Sequence, residues 1–156
     1  MRRKDRELTA REELISVLEK ADVCRLALFD EGYPYLLPLN FGMKEEEGVL
    51  TLYFHGASEG KKHDLIRKNP NASFEADVDH VLFFDEEKQS CSMAYESVVG
   101  QGEIFYLKDE ETIPALRLIM EHYGRADFPF SAQVASRTCV FALRVRSMTG
   151  KRRLRK

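Results

Sequence analysis

Residues 23–54, VCRLALFDEGYPYLLPLNFGMKEEEGVLTLYF, decide the fold. Val23 to Phe29 is an apolar strand-like run, Asp30-Glu31-Gly32 is a turn signal, and Pro34 to Phe41 is a second strand. Gly42 to Gly48 reads as a charged hairpin loop, and Val49 to Phe54 is a third strand. Strands that follow one another this closely leave no room for helical crossovers, so they pair antiparallel. Two prolines in the second strand, Pro34 and Pro38, predict an edge or an irregular ladder.

The pattern continues outward on both sides. Upstream, Thr9 with Glu12 three residues later is a capping-box signature, and Leu14, Ile15, Leu18 and Ala21 follow at helical spacing, predicting a helix over 9–21. Downstream, a short helix around Leu65 to Lys68 ends at Asn69-Pro70-Asn71, and Ala72 to Val78 is a fourth strand. The pattern over 81–92 is ambiguous, with 85–90 expected as a surface loop. Tyr95 to Leu107 reads as a long strand in which Gly100 and Gly102 suggest a bulge or a close backbone approach. An amphipathic helix over 109–123, a loop over 124–135 with room for a short helix, and a closing strand over 139–148 complete the pattern. The expected architecture is one mainly β domain over 1–156, a small antiparallel barrel with peripheral helices.

Composition bounds the function. The 156 residues carry a formal net charge of −2, which does not indicate wholesale nucleic-acid binding. Both ends are basic (Arg2, Arg3, Lys4, Arg6; Lys151, Arg152, Arg153, Arg155, Lys156), and these read as solvated tails, the second from about residue 150. Cys24, Cys91 and Cys139 show no metal spacing. Cys24 and Cys139 lie in apolar runs as small core residues, and Cys91 is the one to consider near a site. No secretory or membrane-spanning run is present, so a cytoplasmic location is expected.

Chemistry concentrates in Tyr-Phe-His-Gly-Ala-Ser-Glu-Gly-Lys-Lys, residues 53–62. An apolar strand ends at a loop holding an imidazole (His55), a hydroxyl (Ser58), two glycines and two ammonium groups (Lys61, Lys62). Glycines let backbone N–H groups approach an anion, lysines neutralise it, and the helix beginning near His63 would aim its orphan N–H groups at the same place. The stretch reads equally as a solvated basic loop capping a helix, and His55 as a satisfied structural histidine. No P-loop precedes the lysines. Asn40, in the irregular strand, can donate to and accept from a planar polar ligand, or can simply turn the chain. Glycines in Ser97 to Gly102 permit close approach by a ligand or a partner. His63-Asp64 and Asp79-His80 read as surface pairs, with no metal site expected, and Cys91 lacks an identifiable catalytic partner.

Collinear blocks span nearly the whole chain. They comprise Met1 to Arg6, Cys24-Arg25-Leu26, Pro34-Tyr35 with Pro38 to Gly42, Tyr53-Phe54-His55 with Ala57, Gly60-Lys61-Lys62, Asn69-Pro70, Ser73-Phe74, Tyr95 with Ser97-Val98, Gly100-Gln101-Gly102 and Thr149 to Arg152. Together they resemble the nitroimidazole-resistance (Nim) family of the pyridoxamine-phosphate-oxidase-like, FMN-binding split-barrel proteins. The resemblance implies a six-stranded antiparallel split β-barrel forming a homodimer, with FMN in two clefts at the subunit interface. It places Pro38, Leu39 and Asn40 along the isoalloxazine ring, Lys61 and Lys62 at the phosphate with His55 and Ser58 close by, and Val99 and Gly100 near the flavin. It further implies an oxidoreductase acting on a small molecule, such as a nitroaromatic compound; His55 is the side chain read here as contacting substrate or delivering a proton. The Arg-rich C-terminal substrate segment of genuine pyridoxamine-phosphate oxidases is missing, so vitamin B6 oxidation is not expected. A different class of function within the same fold is a non-enzymatic flavin or haem carrier or sensor, with His55, His63, His80 or His122 as axial ligand.

Overall fold

Alternating burial along the strands rolls the chain into one antiparallel sheet. In the computed structural model, which describes residues 3–155, a 3₁₀ turn at Lys4–Arg6 precedes β1 (Glu7–Leu8) and α1 (Arg11–Lys20). Then come β2 (Cys24–Leu28), β3 (Tyr35–Leu39), β4 (Phe41–Glu46), β5 (Val49–Gly56) and α2 (Lys61–Lys68). The chain continues through β6 (Asn71–Asp85), β7 (Ser90–Tyr106), α3 (Asp109–His122), α4 (Ala132–Ala135) and β8 (Cys139–Arg153). Met1, Arg2 and Lys156, which belong to the basic ends, lie outside the described residues.

The strand order is β3-β2-β6-β7-β8-β5-β4, with β1 added beside β8, and every pairing is antiparallel. The two ends of that path, β3 and β4, are separated in sequence by Asn40 alone. One residue cannot span a flat sheet of this width, so the sheet must curl until its edges meet. No ladder joins β3 to β4 among the described residues, which makes the barrel a split one. Three contacts hold the seam. The Tyr123 hydroxyl donates to Asp22 C=O at 2.8 Å while accepting from the Phe41 N–H at 3.1 Å and the Asn40 amide at 3.2 Å. All three of its hydrogen-bonding positions are thereby used.

The sheet has eight strands where six are expected. The two extra are the short β1 and the division of one run into β3 and β4 at Asn40. The charged residues Lys44, Glu45 and Glu46 are strand, not loop, because an edge strand can carry charge outward. The turn shrinks to Glu47 and Gly48, both at positive φ. The ambiguous 81–92 segment becomes the end of a long β6–β7 hairpin after a bulge between Val78 and Val81, with the turn at residues 86–89. Thr9 does not cap α1; the helix starts a residue later and Ala10 takes the cap position.

Nor is the run after residue 150 a solvated tail through Arg153. There β8 pairs with both β1 and β7, and Arg152 bonds Glu13 at 2.8 Å and Glu96 at 2.5 Å. Glu96 is only 5 % exposed and also accepts from Lys20 at 2.7 Å, tying α1, β7 and β8 together.

Phe41, Phe54, Phe74 and Phe141 fill the interior with Leu18, Leu26, Leu52 and Leu143. Each such side chain contributes about 1.5–3 kcal/mol by burial. On the far side of the sheet α3 packs Ala115, Leu116 and Ile119 against Val140 and Tyr53. Burial pushes the Cys24 thiol up to about 12, consistent with a core role. The bulge foreseen at the glycines is present where β7 passes β8 between Gln101 and Gly102. A Cβ on Gly100 would run into the Phe74 ring and the Ser147 carbonyl. Gly100→Ala therefore lowers the unfolding free energy by about 1–3 kcal/mol, read by urea denaturation; an unchanged midpoint would show that the ring moves aside freely.

Candidate functional site

At the end of β5 the chain leaves the sheet, crosses residues 57–60 and enters α2. Gly60 occupies the N-cap at φ +123°, a conformation that side-chain-bearing residues rarely adopt. Lys61 and Lys62 are consequently the first two helical residues, earlier than the sequence spacing predicts. Their backbone N–H groups make no hydrogen bond among the described residues and open the helix toward solvent. A helix start with unsatisfied donors and adjacent ammonium groups is an anion site in chemical terms.

The two lysines, equivalent in sequence, differ in surroundings. The Lys61 ammonium is held 2.5 Å from the Asp30 carboxylate and 5.2 Å from the centre of the Tyr35 ring, linking α2 to the β2–β3 turn. Lys62 has no carboxylate partner among the described residues. Its ammonium lies over Gly56, in space that a Cβ on that glycine would occupy. It also sits near His55 and Cys139, whose titrations it perturbs. Lys62 is thus the uncompensated cation of the site. Ser58 is exposed on the same loop.

His55 lies near the end of β5, paired with Val140, and makes no hydrogen bond among the described residues. Desolvation, followed by the Lys62 ammonium, holds its pKa below the ordinary histidine value. That direction favours the neutral imidazole, which is exposed at the end of β5 and can accept a proton or contact a ligand. Lys62→Met raises the His55 pKa part of the way back, because desolvation is the larger cause; an NMR titration that finds no change would place the ammonium elsewhere.

Pro38, Leu39 and Asn40 run along the β3 edge and over the seam. The Asn40 amide is engaged with Tyr123, so it helps close the barrel as well as turning the chain. Register pairs Pro38 with Arg25, Arg25 with Glu75 and Glu75 with Val99, which puts Pro38 and Val99 in one row across the outer face. Val99 is 49 % exposed there, whereas Gly100 faces inward beneath Phe74. The structure therefore gathers His55, Ser58, Lys61 and Lys62 at one end of the barrel. It sets Pro38 and Val99 on the outer surface, three strands apart.

His63 is not a surface residue. It is buried, with Nε2 2.7 Å from Ala57 C=O and Nδ1 2.8 Å from the Tyr106 hydroxyl. Sequence spacing gave no signal for this, since Tyr106 arrives from a distant strand. His122 bonds Ala21 C=O through Nε2 at 2.6 Å, and His80 pairs with Asp77 at 2.8 Å. Among the described residues no cluster of His, Cys, Asp and Glu could hold a metal, and no helix is long and apolar enough to cross a membrane. Cys91 is exposed on the β6–β7 hairpin, where it pairs with Phe84.

Residues 10–152 match the family model described as pyridoxamine 5'-phosphate oxidase. No curated protein matches the chain. Among solved structures, a candidate 5-nitroimidazole antibiotic resistance protein from Bacteroides thetaiotaomicron is 32% identical, with a TM-score of 0.81, covering 93% of this chain and 85% of its own. The FAD and heme binding protein from Mycobacterium smegmatis shares the fold at a TM-score of 0.81 and 19% identity, over 94% of this chain and 73% of its own. An FAD-binding protein from Mesorhizobium loti aligns at a TM-score of 0.68 and 23% identity, over 96% and 98%.

Proposed function

Because the chain belongs to the pyridoxamine 5'-phosphate oxidase family, we propose that it is a flavoprotein that binds FMN at the start of α2 and acts as an oxidoreductase on a small molecule. The observation that carries this reading is the combination of the Lys62 ammonium over Gly56, with no carboxylate partner among the described residues, and the unbonded N–H groups at the start of α2. That donor set fits a phosphate monoester. Lys62, the N–H groups of Lys61 and Lys62, and Ser58 would hold the phosphate. Pro38, Leu39 and Asn40 on the β3 edge and Val99 on the outer face would line the ring. When bound, the flavin supplies the redox chemistry by taking up and passing on reducing equivalents. This chain's residues bind and orient it, and the neutral His55 contacts substrate or moves a proton at its ring nitrogen.

A homodimer follows from the same surface. Pro38 and Val99 lie three strands apart on a face that also exposes Leu36, and a second copy laid against that face would complete the cleft. The neighbour linked to 5-nitroimidazole resistance supports nitroaromatic compounds as the first substrates to test. Pyridoxamine phosphate is not proposed, because the basic C-terminal run is spent in strand pairing and in the Glu96 and Glu13 ion pairs.

The deciding experiment is reconstitution of purified protein with FMN and with FAD, followed by anaerobic addition of NADH or NADPH. A retained absorbance band near about 450 nm with FMN supports the proposal, and bleaching names the donor. Failure to retain either flavin overturns it; preference for FAD would overturn the FMN assignment. For a haem-carrier reading, His63 is unsuited as an axial ligand because both its ring nitrogens are bonded, whereas His55, His80 and His122 each keep a ring nitrogen without a partner among the described residues. The donor set at the start of α2 is what favours the flavin.

A further inference from the structure

The loop before α2 is held from beneath by a side chain to which the proposed flavin chemistry gives no role. His63 is the third residue of the helix and is 1 % exposed. Its backbone N–H donates to Gly60 C=O at 3.0 Å, while its ring bridges Ala57 and Tyr106. A carbonyl can only accept, so the ring nitrogen facing Ala57, Nε2, carries a hydrogen. In the tautomer with hydrogen on Nε2 alone, Nδ1 is an acceptor and the Tyr106 hydroxyl donates to it. Burial first, then Cys139, pushes the Tyr106 phenol up, which keeps that donor protonated through the neutral range.

This chain of hydrogen bonds has a geometric result. The peptide bonds of this loop are trans, as among all the described residues, so each carbonyl points opposite to the N–H that follows it. Drawing Ala57 C=O down onto His63 turns the Ser58 N–H away from the buried ring. Binding Gly60 C=O to the His63 N–H does the same for the Lys61 N–H. From this we infer that Tyr106 and His63 are positioning residues for the anion site: the phenol holds the imidazole in place through Nδ1, the imidazole Nε2–H holds the Ala57 carbonyl inward and the His63 backbone N–H holds the Gly60 carbonyl inward, so that two backbone donors face the ligand. The ligand's identity as a flavin phosphate rests on the function proposed above, whereas the tautomer does not.

The test combines imidazole-nitrogen NMR with FMN titration on the full chain. Wild type should show His63 in the Nε2–H tautomer. Tyr106→Phe should keep that tautomer, which the Ala57 carbonyl fixes, but loosen the ring and weaken FMN binding about tenfold, the loss expected when a buried hydrogen bond is removed. His63→Gln, whose amide N–H can still reach the Ala57 carbonyl, should bind FMN more tightly than His63→Leu. An Nδ1–H tautomer in wild type overturns the inference, as does a Tyr106→Phe variant whose FMN affinity is unchanged. If the His63 variants fail to fold, Tyr106→Phe decides alone. If wild type binds no FMN, the flavin reading falls and the tautomer spectrum by itself supports or overturns the clamp.

Discussion

Replacing Lys62 with methionine weakens FMN binding by about ten- to a hundredfold, the usual worth of a hydrogen bond to a charged partner. Lys61→Met, in contrast, changes it by no more than about threefold, as expected for an ion pair at the surface. The asymmetry follows from charge bookkeeping around adjacent residues. Lys61 already faces Asp30 at 2.5 Å, and an anion would have to compete with that carboxylate. Lys62 has no such competitor and is held over Gly56. Methionine keeps most of the apolar stem in both variants, so the comparison isolates the ammonium. Equilibrium titration followed by flavin fluorescence measures both constants. Equal losses at the two positions would mean that the ligand pulls Lys61 away from Asp30, and the assignment of Lys62 as the principal cation would fail.

The second large effect concerns stability. Glu96→Gln lowers the unfolding free energy at neutral pH by about 1–3 kcal/mol, less than for a fully buried pair because Lys20 and Arg152 remain partly solvated and keep second partners. Burial would by itself push the Glu96 carboxyl up, but hydrogen bonds from Lys20 and Arg152 outweigh it and hold the pKa below the ordinary carboxylate value. A group depressed on folding contributes its stability above its unfolded pKa and loses it as the pH falls through the folded one. The gap between wild type and Glu96→Gln should therefore be full at neutral pH and shrink under acid conditions below the ordinary carboxylate range. Urea unfolding of both proteins across that range measures it. A gap that stays constant into acid would show that Glu96 acts by shape and not by charge.

Much of the fold is legible in residues 23–54 because strand alternation and turn chemistry are local. Cys24, Leu26 and Leu28 point inward, and Leu50, Leu52 and Phe54 do the same, as period-two patterning requires. The errors fall where distant partners decide. Residues 44–46 look like a loop until β5 supplies a strand to pair with, and residues 150–153 look like a tail until β1 and β7 flank them.

The candidate site divides in the same way. The Gly60-Lys61-Lys62 sequence marks an anion loop from its composition alone. Nothing in the sequence separates Lys61 from Lys62, because Asp30 reaches only one of them through the fold. Gly100 is conspicuous in the sequence and suggests a ligand contact, yet its missing Cβ is already accounted for by Phe74. His63 is the reverse case, an unremarkable helix residue that becomes central once Tyr106 lies against it.

The place of β8 between β7 and β5 has a consequence for synthesis on the ribosome. Of the described strands it is made last, and without it the remaining ladder order falls into two pieces, β3-β2-β6-β7 and β5-β4. Until it emerges, β7 and β5 each present a bare edge able to pair with another nascent chain. A chain stalled before Cys139 should therefore be a poor folder and a ready aggregator, and release of the final strand should be the step that commits the barrel.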